Sequence, residues 1–316
     1  MVTPLRIVFF GTPQFAVPTL ERLLASRHLV AGVVTQPDKP RGRGQHVTDA
    51  PVKALAVEHG LAVLQPVRLR EPELDEAIRA WRPDLGVVAA YGRLIPDRLL
   101  ALPRLGMINV HASLLPEYRG AAPVHRAVID GREETGVTIM RVVKELDAGP
   151  MMASIRRPIG PNETSVEVEA ALASLGAPLL VSAVDRLAAG TAVETPQDPS
   201  LATFAPKIEK SEGMIDWALP AARIHNLVRG LQPWPLVSGR LDGRRYLVHR
   251  TELSDRQTDA TGGSVVEASG TNLSIAGGDG RMLRILNIQP EGKRVMTARE
   301  FLAGHDVRPG SLFVRE

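Results

Sequence analysis

In Gly106-Met107-Ile108-Asn109-Val110-His111, apolar and polar residues alternate. Read as a strand, the segment projects Asn109 and His111 to one side and Ile108 and Val110 to the other, because successive strand side chains face opposite ways. A carboxamide and an imidazole ending an apolar strand are costly to bury without partners, so they suit the mouth of a cleft. Their chemistry is complementary: an amide N–H can steady an oxyanion growing on a carbonyl carbon while an imidazole moves a proton. A carboxylate that orients the ring would complete the set. Asp147, in the tight turn Leu146-Asp147-Ala148-Gly149-Pro150, sits at another strand edge and can supply it. Two plainer readings stay open, a structural His111 satisfied in the core and an Asp147 that only shapes its own turn.

Other chemistries find little support. The chain has no cysteine, which removes thiolate nucleophiles, disulfides and cysteine zinc sites. Ser113, His111 and Asp147 could be read as a hydrolase triad, but no G-x-S-x-G elbow is present and Ser113 lies only two residues from the histidine. Gly11-Thr12-Pro13 and Gly42-Arg43-Gly44 match neither the dinucleotide fingerprint nor the phosphate loop, so no nucleotide cofactor and no metal is expected.

The elements that must hold these residues alternate between strands and helices through the first half. Leu5–Phe10, Leu29–Thr35, Leu61–Leu64, Asp84–Ala90 and Gly106–His111 read as strands, and segments 20–24, 71–81 and 121–129 as helices. Asp49 can cap a helix that has Pro51 in its first turn, and Gly60 ends it. Gly136–Val143 and Met151–Arg156 read as a β-pair, and Thr164 with Glu167 forms a capping box that opens a helix running toward Gly190. The expected fold is therefore α/β, a Rossmann-like, mostly parallel sheet that binds ligands at the carboxyl ends of its strands. Around Pro196, Pro199 and Pro206 the pattern breaks. Beyond a helix at Ala221–Val228, short β runs at Tyr246–His249, Ser264–Glu267, Leu273–Ala276 and Met282–Ile288 suggest a small OB-like barrel. The expected division is a catalytic domain over residues 1–190, a linker over 191–209 and a β-barrel over 210–316.

The 316 residues are 44% hydrophobic and 23% charged, composition enough for two packed domains. No apolar run near 18 residues is evident, so no spanning helix is expected, and the N-terminus lacks the make-up of a signal peptide. A cytoplasmic monomer without membrane contact is the expectation. Residues 1–206 carry 22 basic and 22 acidic residues, whereas 207–316 carry 16 and 13, so the excess charge of +3 lies in the last third. A basic bias there is compatible with nucleic acid, and equally with a plain basic surface.

Several motifs together resemble methionyl-tRNA formyltransferases. They are Gly11-Thr12-Pro13, Thr35-Gln36-Pro37-Asp38, Gly42-Arg43-Gly44, Ala90-Tyr91-Gly92, Asn109-Val110-His111-Ala112-Ser113-Leu114-Leu115-Pro116, Arg119-Gly120-Ala121-Ala122-Pro123, Glu134-Thr135-Gly136-Val137-Thr138 and Leu146-Asp147-Ala148-Gly149. Asn226 with Pro233-Trp234-Pro235 extends the likeness toward the C-terminus. Ala112 stands where that family often has glycine, and both are small.

The resemblance implies a formyltransferase fold, 10-formyltetrahydrofolate as the donor and the α-amine of initiator methionyl-tRNA as the acceptor. It also implies Asn109, His111 and Asp147 as catalytic residues. Ser113, Leu114, Leu115 and Pro116 would line the folate pocket with Tyr91 and Gly92. Lys39, Arg41 and Arg43, in the glycine-rich loop Gln36–Ala50, would reach the tRNA acceptor end; by composition alone that loop reads as a mobile surface loop rather than a binding element. Formyltransferases acting on sugar amines or on a nucleotide share the three-residue core, but in the families concerned they lack the basic loop or the C-terminal domain. A non-enzymatic RNA-binding protein would suit the barrel but leave the Asn/His pair unexplained.

Overall fold

The computed structural model describes residues 3–41 and 46–315. The chain forms two compact units: Met1–Pro123, Thr135–Arg157 and Glu169–Ala205 in the first, and Val124–Glu134, Pro158–Val168 and Pro206–Glu316 in the second.

The first unit begins β1 (Arg6–Gly11), α1 (Val17–Leu24), β2 (Leu29–Val34), β3 (Lys39–Arg41), β4 (His46–Thr48), α2 (Pro51–Glu58), β5 (Val63–Leu64) and α3 (Pro72–Ala80). It continues with β6 (Leu85–Ala89), α4 (Asp97–Leu100), β7 (Met107–His111) and β8 (Arg119–Gly120). After α5 (Pro123–Ile129), which apart from Pro123 falls in the second unit, come β9 (Glu134–Arg141), β10 (Met151–Pro158), α6 (Ser165–Ala189) and β11 (Phe204–Ala205). The main sheet has the order β10-β9-β7-β6-β1-β2-β5. Its members from β7 to β5 run parallel, and β9 runs antiparallel to β7. In β1, Ile7, Val8, Phe9 and Phe10 are all fully buried, as a strand covered on both faces requires. The chain leaves β1 for β2 on one side and returns to β6 on the other. The carboxyl ends of β1 and β6 therefore flank a topological switch point, where such sheets bind ligands.

Three local features differ from the sequence reading. Ala50, not Asp49, is the N-cap residue of α2; Asp49 instead pairs with Lys53 at 2.7 Å. α6 contains a window of mean hydropathy 1.5, long and apolar enough to span a bilayer by length and composition, where no such run was expected. Val168, Leu172, Ala173, Ala177, Leu180, Ala183 and Val184 form a buried stripe along it at helical spacing, so it has the pattern of a core helix. A Cβ on its Gly176 would stand 3.0 Å from Val110 and 3.2 Å from Val137, which shows how closely the helix covers β7 and β9.

The third feature is the stretch expected to be a linker. Residues up to Ala205 belong to the first unit. Met151 and Thr195 exchange two backbone hydrogen bonds of 2.8 Å, and β11 pairs in parallel with β8. The amide of Tyr118 donates to the Thr203 hydroxyl at 2.9 Å. Prolines and polar residues carry no strand or helix pattern, but Thr195, Thr203 and Phe204–Ala205 pair through their backbone with segments distant in sequence.

The second unit adds α7 (Ala221–Gly230), β12 (Val237–Leu241), β13 (Arg244–Gln257), β14 (Val265–Ser269), β15 (Asn272–Ala276), β16 (Arg281–Pro290), β17 (Met296–Thr297), α8 (Ala298–Gly304) and β18 (Phe313–Val314). The sheet runs β14-β15-β16-β13-β12-β18, with β17 beside β16. Its two ends meet: Ser264 bridges Leu312, and the amide of Val265 donates to the Ser311 carbonyl at 2.8 Å. The result is a rolled antiparallel sheet, the barrel-like form expected. Tyr246 anchors its core, with ring centroids 5.4 Å from Phe301 and 6.1 Å from Phe313. The sequence reading did not find β12, α8 or β18. α8 buries only Ala298 and Phe301, too few apolar positions to show a helical period.

Candidate active site

β7 lies between β6 and β9, in a register that sets Asn109 beside Val88 on one side and Met140 on the other. Ile108 and Val110 are buried at 0% and 2% exposure, so the alternate residues Asn109 and His111 share the opposite face. Asn109 is half-buried and His111 is buried. His111 Nε2 stands 3.0 Å from the Tyr118 carbonyl oxygen. Because a carbonyl can only accept, Nε2 carries the hydrogen, and Nδ1 is left for other work. Nδ1 faces Asp147 Oδ2 at 3.7 Å. The same oxygen accepts the Gly120 amide hydrogen at 2.9 Å. The imidazole and the carboxylate, 36 positions apart in sequence, are thus brought together by the sheet and by β8.

Asp147 has a φ of +49°, in the left-handed region that costs a non-glycine residue roughly 1–2 kcal/mol. The turn therefore needs its tertiary contacts to persist. Gly149 is one of them: a Cβ there would meet the Arg141 carbonyl oxygen at 2.0 Å, so only glycine lets the turn lie against the end of β9.

The loop after β7 is rigidly tied. Thr138 on β9 donates its hydroxyl to the Ser113 carbonyl at 2.8 Å and accepts the Leu115 amide at 3.1 Å. Ser113 Oγ donates to the Glu117 carbonyl at 2.6 Å, and its residue is 1% exposed. Neither ring nitrogen of His111 faces Ser113, so the hydrolase triad has no geometry here. Leu115 is buried, while Leu114 and Pro116 are half-buried.

A cleft of about 300 Å³ opens at the carboxyl ends of β1, β2 and β6, lined by Thr12, Pro13, Gln36, Asp38, Ala90 and Gly92 among others. Ala89, next to Ala90, is the register partner of Val110, which lies between Asn109 and His111. Gly92 lines this cleft. The Tyr91 side chain does not: it is 1% exposed and packs edge-on against Phe10 at 5.4 Å. Only the Tyr91 carbonyl serves the cleft, accepting Gln36 Nε2 at 2.7 Å and Thr12 Oγ1 at 3.4 Å. Asp38 is held by Lys53, by Gln65 Nε2 at 3.0 Å and by the Ala50 amide at 3.3 Å. The Lys53 ammonium beside it keeps the Asp38 carboxyl below the usual range. The sequence reading names neither Thr12 nor Gln36 as a site residue, though both line the cleft; the signal available is their place directly after the first two strands. Lys39 and Arg41 lie on β3, paired with Thr48 and His46 of β4, and Arg43 falls outside the described residues.

Residues 5–184 match the formyl transferase family, and residues 207–306 match the formyl transferase C-terminal domain, so fold and site together define a formyl transferase. Among relatives, the methionyl-tRNA formyltransferase of Methylococcus capsulatus is 47% identical over 301 residues, covering 95% of this chain and 97% of that protein. The methionyl-tRNA formyltransferase of Moorella thermoacetica is 44% identical over 308 residues, covering 98% and 99% respectively. This chain belongs to the methionyl-tRNA formyltransferase family. A solved structure of WlaRD, a sugar 3N-formyl transferase crystallised in the presence of dTDP and 5-N-formyl-THF, superposes with a TM-score of 0.68. It covers 92% of this chain and 100% of that one at 17% identity, a likeness of fold.

Proposed function

We propose that this chain transfers the formyl group of 10-formyltetrahydrofolate to the α-amine of initiator methionyl-tRNA, with Asn109, His111 and Asp147 at the reacting carbon. The observation that carries the assignment is the facing pair of His111 Nδ1 and Asp147 Oδ2 at 3.7 Å, on the strand face that also bears Asn109. Catalytic hydrogen bonds are often long in the free enzyme and tighten when substrate binds.

The amine lone pair attacks the formyl carbon, and the carbonyl electrons move onto oxygen. The Asn109 carboxamide donates a hydrogen bond to that oxyanion; removing one such donor typically costs about 10²–10³ in rate. Collapse of the tetrahedral intermediate breaks the bond to the folate nitrogen. With Nε2–H held by the Tyr118 carbonyl, Nδ1 accepts the proton released by the amine and passes it to the departing nitrogen. Asp147 orients the ring and balances the charge of the imidazolium. No enzyme-bound acyl group forms.

The tied loop Ser113–Pro116, with Gly92 and the backbone at Tyr91, supports a folate site on this face of the sheet. Lys39, Arg41 and Arg43 are proposed to meet the tRNA acceptor end. We assign catalysis to the first unit and tRNA binding to the barrel, and read the protein as a cytoplasmic monomer. The test is single-turnover formyl transfer to charged initiator tRNA by purified Asn109→Ala and His111→Ala. Loss of about 10² or more in each is expected; near-normal turnover by folded variants would refute the assignment.

A further inference from the structure

The Asp147 turn is gripped by a side chain from the segment that looked like a linker. Gln197 Nε2 donates to the carbonyl oxygens of Asp147 and Gly149, each at 2.8 Å. Its Oε1 accepts from Arg119 Nε at 3.1 Å and Arg119 Nη2 at 2.7 Å. Both amide hydrogens and both oxygen lone pairs are used, and the orientation is fixed: the guanidinium demands the oxygen and the two carbonyls demand the nitrogen. Arg119 is itself 9% exposed and lies on β8, which pairs with β11 at the far end of the same segment. The next residue, Gly120, donates its amide to the Asp147 carboxylate at 2.9 Å. A Cβ on Gly120 would stand 2.8 Å from the Ala205 carbonyl oxygen, so β11 and β8 lie in close contact. The Thr203 carbonyl accepts the Arg119 amide at 2.9 Å, two residues from Glu117 and adjacent to Tyr118, whose carbonyl meets His111.

From this arrangement we propose that residues 195–205 are a catalytic strap, and that Gln197, oriented by Arg119, is the positioning residue that holds the Asp147 turn against His111. The inference rests on the catalytic reading of Asp147 given above. Gln197 touches no reacting atom. It fixes the carbonyl of a left-handed residue, whose carboxylate must stay beside Nδ1, and that of the second residue after it. Loss of the amide frees the turn to relax, and a displacement near 1 Å at a catalytic group lowers turnover by up to about 10²-fold. Binding of either substrate does not depend on it, so the effect falls on kcat.

The experiment is a double-mutant cycle in the full chain, using Gln197→Ala, Asp147→Asn and both together, with kcat, both KM values and melting temperature measured. Gln197→Ala is expected to lower kcat at least about tenfold while both KM values stay close to those of the parent, with the melting temperature reduced by the partners left unpaired. On the Asp147→Asn background the same change is expected to add less than about twofold, because the group it positions has already been disabled. Gln197→Glu, which fills the same space and keeps the Arg119 partner but turns an acceptor toward two carbonyls, serves if the alanine variant is poorly folded; it is expected to match or exceed the loss. An unchanged kcat in a folded Gln197 variant, or a loss that multiplies fully onto Asp147→Asn, would overturn the strap while leaving the catalytic reading intact. A fully active Asp147→Asn would overturn the catalytic reading itself, and the strap with it.

Discussion

Gly149→Ala tests whether the position of the Asp147 turn sets the rate. The new Cβ would stand 2.0 Å from the Arg141 carbonyl oxygen and 3.2 Å from the Arg141 Cβ. A close carbon–oxygen contact needs roughly 3.3 Å, so the gap must open by more than about 1 Å. The obstructing oxygen belongs to the end of β9, whose Arg141 amide donates to the Pro150 carbonyl at 2.9 Å, so no side-chain rotation relieves the contact. The turn is the part that yields, and with it the carboxylate 3.7 Å from His111. A shift of this size at a catalytic group costs on the order of 10² in kcat. Overpacking adds about 1–3 kcal/mol of destabilisation. Purified variant and parent would be compared by single-turnover formyl transfer and by thermal melting. Gly304→Ala is the control, since a Cβ there meets nothing within 4 Å. A Gly149→Ala protein with kcat within about twofold of the parent would refute the argument.

Two further outcomes follow from other parts of the molecule. Burial pushes the His225 pKa below its ordinary value, with the Arg229 cation acting in the same sense against the opposing Pro161 carbonyl. Its neutral ring joins Thr251 Oγ1 and the Pro161 carbonyl, each at 2.8 Å. The unfolded chain therefore takes up the proton first, so this contribution is complete above about pH 6.5 and declines as pH falls toward the lower folded value. Denaturant midpoints should drop between about pH 7.5 and 5 in the parent and vary less in His225→Gln; a flat parent profile would contradict this. In the basic loop, Arg43→Leu is expected to raise the KM for tRNA or lower kcat without changing the melting temperature, and unaltered kinetics would remove Arg43 from the tRNA site.

The legible parts of the sequence were those where a local pattern carries its own physical cause. The continuous apolar run at Ile7–Phe10 announces a strand covered on both faces, and all four residues are fully buried. The Thr164–Glu167 capping box forms as read, with the Thr164 amide donating to Glu167 at 2.8 Å. Asn109 and His111 share a strand face because alternation leaves no other choice. Tyr91 illustrates the limit. Its motif is adjacent to a cleft, yet only its carbonyl faces that side, because the ring's apolar area is buried against Phe10.

By itself, then, the sequence determined the α/β pattern, the rolled β unit beyond it and the shared orientation of the carboxamide and imidazole, all consequences of spacing along one stretch of backbone. The approach of Asp147 to His111, the cleft at the switch point and the grip of Gln197 on the turn were decided by tertiary structure. Each depends on hydrogen bonds between segments tens of residues apart, and strand order and register, which no local pattern encodes, determine which distant groups meet.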